Sequence, residues 1–217
     1  FARQRASRLL VVCPAMLREQ WKTALDYFFH VDAEIISSSH RRALERQLPP
    51  GGNPWEYYPY LIASMDYAKM PEVKAQVLEQ NWDIILVDEA HNVAKPHQLD
   101  ERQKVEMDRW ELMRDLSKKA RHLIMLTATP HNGYTDTFAS LLRMLDVGAV
   151  SGSNSDPVIN REIAKSYVCQ RRRIDVESEM SKAGDKSPFP KRDADEVYVK
   201  LSPLETSVMN EVELLGR

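Results

Sequence analysis

The run Ile84 to Val87 is four apolar residues without a break, and it ends on two adjacent carboxylates, Asp88 and Glu89. A strand with one wet face alternates apolar and polar residues. An unbroken run of strand length instead points to a strand covered on both sides, the habit of parallel sheets. That directs the fold class to α/β, with helices supplying the cover. In open parallel sheets the ligand crevice lies beyond the carboxyl ends of the strands, which is where Asp88 and Glu89 fall. Two neighbouring carboxylates there can share nucleotide hydrolysis, one holding magnesium and the other positioning or deprotonating the attacking water. The plain alternative is an acidic pair that marks the chain's return to solvent.

A second run shifts the balance. Leu123 to Pro130 reads L-I-M-L-T-A-T-P, again of buried type, but closing on hydroxyls. One crossover helix fits between the runs, and adjacent strands would set Thr127 and Thr129 beside Asp88, Glu89 and His91. Leu9 to Val12 is a third apolar run, closed by Cys13 and Pro14.

D-E-A-H at 88–91 followed by T-A-T-P at 127–130 resembles motifs II and III of superfamily-two helicase ATPases. The continuation His131, Asn132, Gly133 and the upstream V-V-C-P-A-M-L-R-E-Q-W resemble the Swi/Snf-like branch, particularly its bacterial RNA-polymerase-associated and phage-defence-type members. The resemblance runs from Leu9 to Glu211. It implies a RecA-like P-loop NTPase lobe over 1–150, a mostly parallel sheet with helices on both faces. A helical and strand extension over 151–217 would then lead toward a second RecA-like lobe of the same parent chain.

ATP and magnesium are the implied cofactors. Asp88 would hold the metal through water, Glu89 would orient the nucleophile, and His91 would couple the nucleotide site to Thr127 and Thr129, which relay closure. The implied partner is double-stranded DNA, with RNA polymerase or defence-system proteins as further partners of such members. Residue by residue, the DNA-facing set is Arg18, Gln20 and Trp21 from motif Ia, Ser64 from motif Ib, and Arg171 and Arg172 from the doubled-arginine segment after motif III. Each of the singled-out roles has a structural counterpart. Trp21 reads first as a core anchor and Arg18 as a solvated helix residue; Ser64 can cap a helix, alone or together with a phosphate contact; the arginines can form a solvated helix face.

The net charge of -2 over 217 residues carries no overall electrostatic footprint of nucleic-acid binding, so any such contact needs a local patch. Cys13 and Cys169 lie far apart and outside metal-ligand spacing, which fits reduced thiols in the cytoplasm. Neither a signal peptide nor a membrane span is readable, and no H-E-x-x-H or cysteine cluster makes His91 a metal ligand. The chain opens at Phe1, and G-x-x-x-x-G-K-[ST] occurs nowhere in it. We read it as a fragment of an ATP-dependent translocase on duplex DNA that by itself does not turn over ATP appreciably. The rival classes are a strand-separating helicase or nuclease subunit and a non-catalytic scaffold; Asp88, Glu89, His91, Thr127 and Thr129, all intact, weigh against the scaffold.

The remaining pattern places helices over Met16 to Phe29, with Phe28 on the apolar face, and over 41–47, 72–80, 104–118 and 135–145. Short strands are expected at Ala33 to Ser37 and Tyr60 to Ala63. Residues 49–59 read as a loop whose aromatics Trp55, Tyr57 and Tyr58 pack it onto the domain. Val150 to Asp156 reads as a loop and Glu177 to Pro190 as a mobile segment. Val197, Val199 and Leu201 read as a half-buried strand, followed by a helix from Pro203.

Overall fold

The structure, a computed structural model, describes residues 6–97, 103–130, 133–183, 189, 195 and 198–215. His131 and Asn132 of the motif continuation lie outside these. The chain divides into two compact units, Phe1–Cys169 and Gln170–Arg217, so residues 151–169, expected with the extension, belong to the first.

In the first unit β1 (Leu9–Cys13), β2 (Glu34–Ile36), β3 (Tyr60–Ser64), β4 (Trp82–Val87) and β5 (Ala120–Met125) form one sheet in the order β2-β3-β1-β4-β5. Every pairing is parallel. The expected α/β class is therefore what the chain adopts. A 3₁₀ turn, Ala15–Leu17, leads into α1 (Arg18–Phe29), which connects β1 to β2. Helices α2 (Arg41–Glu45) and α3 (Pro54–Tyr57) precede β3; α4 (Met65–Ala68) and α5 (Pro71–Glu79) lie between β3 and β4; α6 (Lys104–Ser117) joins β4 to β5. After β5 come α7 (Thr135–Leu145), the strands β6 (Val150–Gly152) and β7 (Pro157–Ile159), and α8 (Arg161–Tyr167).

Side chains alternate across a strand, and the two cores follow that alternation along β1. Leu9, Val11 and Cys13 pack with Leu25, Val31, Ile35 and Ile62 on the α1 side. Leu10 and Val12 pack with Leu61, Ile85, Val87, Trp55 and the α6 residues Leu112, Met113 and Leu116 on the other. Trp55, fully buried, pins the 49–59 segment to the domain as expected, although that segment contains α3.

Several expectations need correction. The second apolar run is an edge strand, not a buried one: Ile124 is 43% exposed, and in the register it faces Leu86, itself half-buried. The cover from α1 thins toward β5, so the unbroken apolar pattern here does not mean burial on both faces. Phe28 is 70% exposed because the helix turns its Leu25 side to the sheet. The expected loop at 150–156 starts an antiparallel hairpin, β6 with β7. Gly152 makes its turn possible at φ 80°, where an added Cβ would sit 2.5 Å from the Asp156 carbonyl oxygen. Arg143 of α7 clamps it, donating to Asn154 Oδ1 at 2.6 Å and to the Gly152 oxygen at 3.1 Å.

In the second unit the segment read as mobile begins within a helix, α9 (Arg173–Ala183), and α10 (Pro203–Leu215) follows Pro203 as expected. Residues 198–202 form no strand, and Val199 is 76% exposed; Val197 lies outside the described residues.

Candidate active site

β4 delivers Asp88 to the carboxyl edge of the sheet, where the chain is gripped from both sides. The Asp88 amide donates to the Val12 oxygen of β1 at 2.9 Å, and the Leu126 amide donates to the Val87 oxygen at 2.8 Å. The Ala90 amide donates back to the Leu126 oxygen at 2.9 Å. Between these anchors Glu89 is left-handed, φ 50° and ψ 49°, a conformation that costs a side chain other than glycine about 1 to 3 kcal/mol. The turn sends the two carboxylates into different surroundings.

Asp88 is held from inside the protein. Its Oδ2 accepts the indole N–H of Trp21 at 2.8 Å, and its Oδ1 accepts the Glu89 amide at 2.9 Å. Cys13, at the end of β1, lies beneath; its thiol is pushed up to about 12 by burial and by the Asp88 charge, so it stays a protonated core group. Glu89 instead faces His91, with Oε2 3.2 Å from Nδ1, each side chain 37% exposed. The same nitrogen lies 3.0 Å from Thr127 Oγ1, which accepts the Thr129 amide at 3.2 Å. A proton on Nδ1 serves the carboxylate and the hydroxyl together; without it Thr127 donates to the ring and Glu89 loses that partner.

The five residues expected to meet are thus one connected group, Glu89 to His91 to Thr127 to Thr129, with Asp88 adjoining through the backbone. Trp21 adds a contact that the sequence reading missed, since it was assigned there to the core or to DNA. No local signal announces it: the parallel register of β1 with β4 is what sets the start of α1 over Asp88.

The other expected site residues are placed as follows. Gln20 is exposed on α1, and Arg18 donates its Nε to the Ala15 oxygen at 2.9 Å. Ser64 ends β3 beside Cys13 in the register, is only 5% exposed, and accepts the Tyr67 amide at 3.2 Å as the cap of α4. Arg172, in the second unit, grips Asp175 with Nε and Nη2 at 3.0 Å each, and Arg171 is exposed.

Among the described residues no cluster of three or more His, Cys, Asp or Glu could hold a metal by itself. Magnesium does not ask for one, because it keeps several waters and takes one or two carboxylates alongside substrate phosphates. Asp88, with one hydrogen bond on each oxygen and lone pairs left over, fits such a water-mediated hold. The chain contains no phosphate-cradling glycine-lysine loop, so its residues fit the metal side of a nucleotide site and not the phosphate side.

The family model of the SNF2-related domain matches residues 2–210. The chain belongs to the SNF2-related domain family. As an SNF2-related domain it is similar to the RNA polymerase-associated protein RapA of Vibrio campbellii, 27% identical over 143 residues, 65% of this chain and 14% of that protein. RapA of Serratia proteamaculans is 28% identical over the same shares. The chain spans 14% of the length of these curated relatives. Among solved structures, the Sulfolobus solfataricus SWI2/SNF2 ATPase core in complex with dsDNA superposes with a TM-score of 0.52 at 19% identity, over 85% of this chain and 31% of that one. That likeness bears on the fold, and it makes the parallel sheet of this SNF2-related domain RecA-like.

Proposed function

We propose that this SNF2-related domain supplies the water-activating half of an ATPase site in a motor that moves on double-stranded DNA, with a second RecA-like lobe of its parent completing the site. The observation that carries the reading is the contact chain Glu89, His91, Thr127. It ties the carboxylate next to Asp88 to the loop after β5 through one imidazole nitrogen.

Asp88, kept in place by Trp21 and the Glu89 amide, would hold magnesium, which would supply neutralisation of the charge that builds on the phosphates. Glu89 orients the attacking water and takes its proton. His91 holds Glu89 and senses Thr127, so a shift of the loop carrying Thr127 and Thr129 reaches the carboxylate through two hydrogen bonds. Arg18 and Gln20 stand near the same edge of the sheet and are the DNA-facing candidates on α1. The relatives are named for association with RNA polymerase, which makes polymerase a candidate partner of the parent.

The test is ATP turnover by the full-length parent with and without duplex DNA, alongside Glu89→Gln. The expected result is stimulation by duplex and a loss of roughly 10² to 10⁴-fold in the variant, the size of a general-base contribution. Turnover indifferent to Glu89→Gln, or to duplex, would sink the reading. The 217 residues alone are expected to show no appreciable turnover.

A further inference from the structure

A cleft of about 510 Å³ opens along α6 and α7, from Lys95, just past the DEAH stretch, to the carboxyl ends of both helices. α6 runs from the DEAH side down to the amino end of β5, and α7 starts beyond the Thr127 loop, so Lys118 and Val147 lie at the opposite edge of the sheet from Asp88. Four cations line the cleft, Lys95, Arg114, Lys118 and Arg143, against one carboxylate, Asp146. In a chain of net charge -2 that is a concentrated local excess.

The cations differ in what they are already doing. Arg143 clamps the β6–β7 turn, and Arg114 donates to Asp115 Oδ1 at 3.0 Å while lying over the Trp110 ring at 4.9 Å. Lys95 lies over the same ring at 5.5 Å and has no carboxylate partner among the described residues. Its amide donates to Ser140 Oγ at 2.8 Å, which anchors its backbone beside the cleft. Lys118 is 70% exposed, with Asp115 no closer than 3.9 Å. Two poorly neutralised ammonium groups thus flank a strip of apolar surface made by Trp110, Met144 and Val147, the last 81% exposed.

We infer that this cleft binds an acidic peptide segment of a partner protein, with carboxylates meeting Lys95 and Lys118 and an apolar side chain between them on Met144 and Val147. Single-stranded nucleic acid fits less well, because the aromatic face that a base would stack on is already occupied by Lys95 and Arg114.

Calorimetric titration of this chain with blocked pentapeptides, two glutamates on each side of a central leucine, phenylalanine or tryptophan, tests the proposal. A lysine-flanked peptide and a short duplex serve as comparisons. At least one acidic peptide is expected to bind saturably, to weaken with added salt, and to lose tenfold or more in affinity in Lys95→Glu and in Lys118→Glu, each shown to unfold at the wild-type midpoint. The lysine-flanked peptide should not bind. Absence of saturable binding tighter than about 1 mM by any acidic peptide overturns the inference, as does binding unchanged by both charge reversals. Competition by duplex alone, abolished by the same reversals, would reassign the cleft to nucleic acid.

Discussion

Trp21 has one polar hydrogen and gives it to Asp88. Replacing it with phenylalanine keeps most of the apolar contact with Leu17 and the β1 core and removes only the donor, freeing Asp88 to swing. Loss of such a supporting bond typically costs 10 to 100-fold in metal affinity or activity. Trp21→Phe in the parent should therefore raise the magnesium concentration needed for half-maximal turnover by about tenfold. A DNA-contacting Trp21 would instead weaken duplex binding and leave the magnesium titration unchanged, so the two titrations separate the roles. Asp88, Glu89, His91 and the threonines were legible in the sequence because the motif residues are adjacent in each stretch and strand adjacency does the rest. The indole was not, since Trp21 and Asp88 are 67 residues apart and meet only through the register of β1 with β4.

At the level of elements, β4 is tethered at its start as well as its end. Asp83 Oδ2 accepts the Ser7 amide at 2.7 Å, the Ser7 hydroxyl at 2.9 Å and the Arg8 amide at 3.0 Å. The Ser7 amide, followed by the other donors, holds its carboxyl below the ordinary carboxylate range. A lowered folded value means the tether contributes fully above the unfolded carboxylate pKa and is lost as pH falls through the folded value. Asp83→Asn should thus lower the unfolding midpoint at neutral pH and lose less stability on acidification than the wild type, read from paired melts across the acid range. Among the elements, β1, β3 and β4 and the long helices were readable because burial enforces their patterns. β5 was misread as fully covered because an edge strand can carry the same residues with one face open. The hairpin of β6 and β7 escaped notice because strands of three residues leave no period; Arg143 and a left-handed Gly152 define it, and both act through tertiary contacts.

For the whole molecule, the strand order puts β1 at the centre, paired with β3 and β4. Such non-local parallel pairing is slow to form, so refolding of the 217 residues should fall in the millisecond-to-second range of high-contact-order domains and not in microseconds. Hydrogen exchange on a chain ending at residue 80 should leave the Leu9–Cys13 backbone poorly protected, since one whole flank of β1 is then missing. Inside a cell the same geometry becomes a matter of timing. Leu9 to Cys13 leave the ribosome first, and Trp82 to Val87 follow only several seconds later at about 5 to 20 residues per second. For that interval the most apolar strand of the lobe has no flank on one side, which makes the nascent chain, more than the finished one, a client for chaperones.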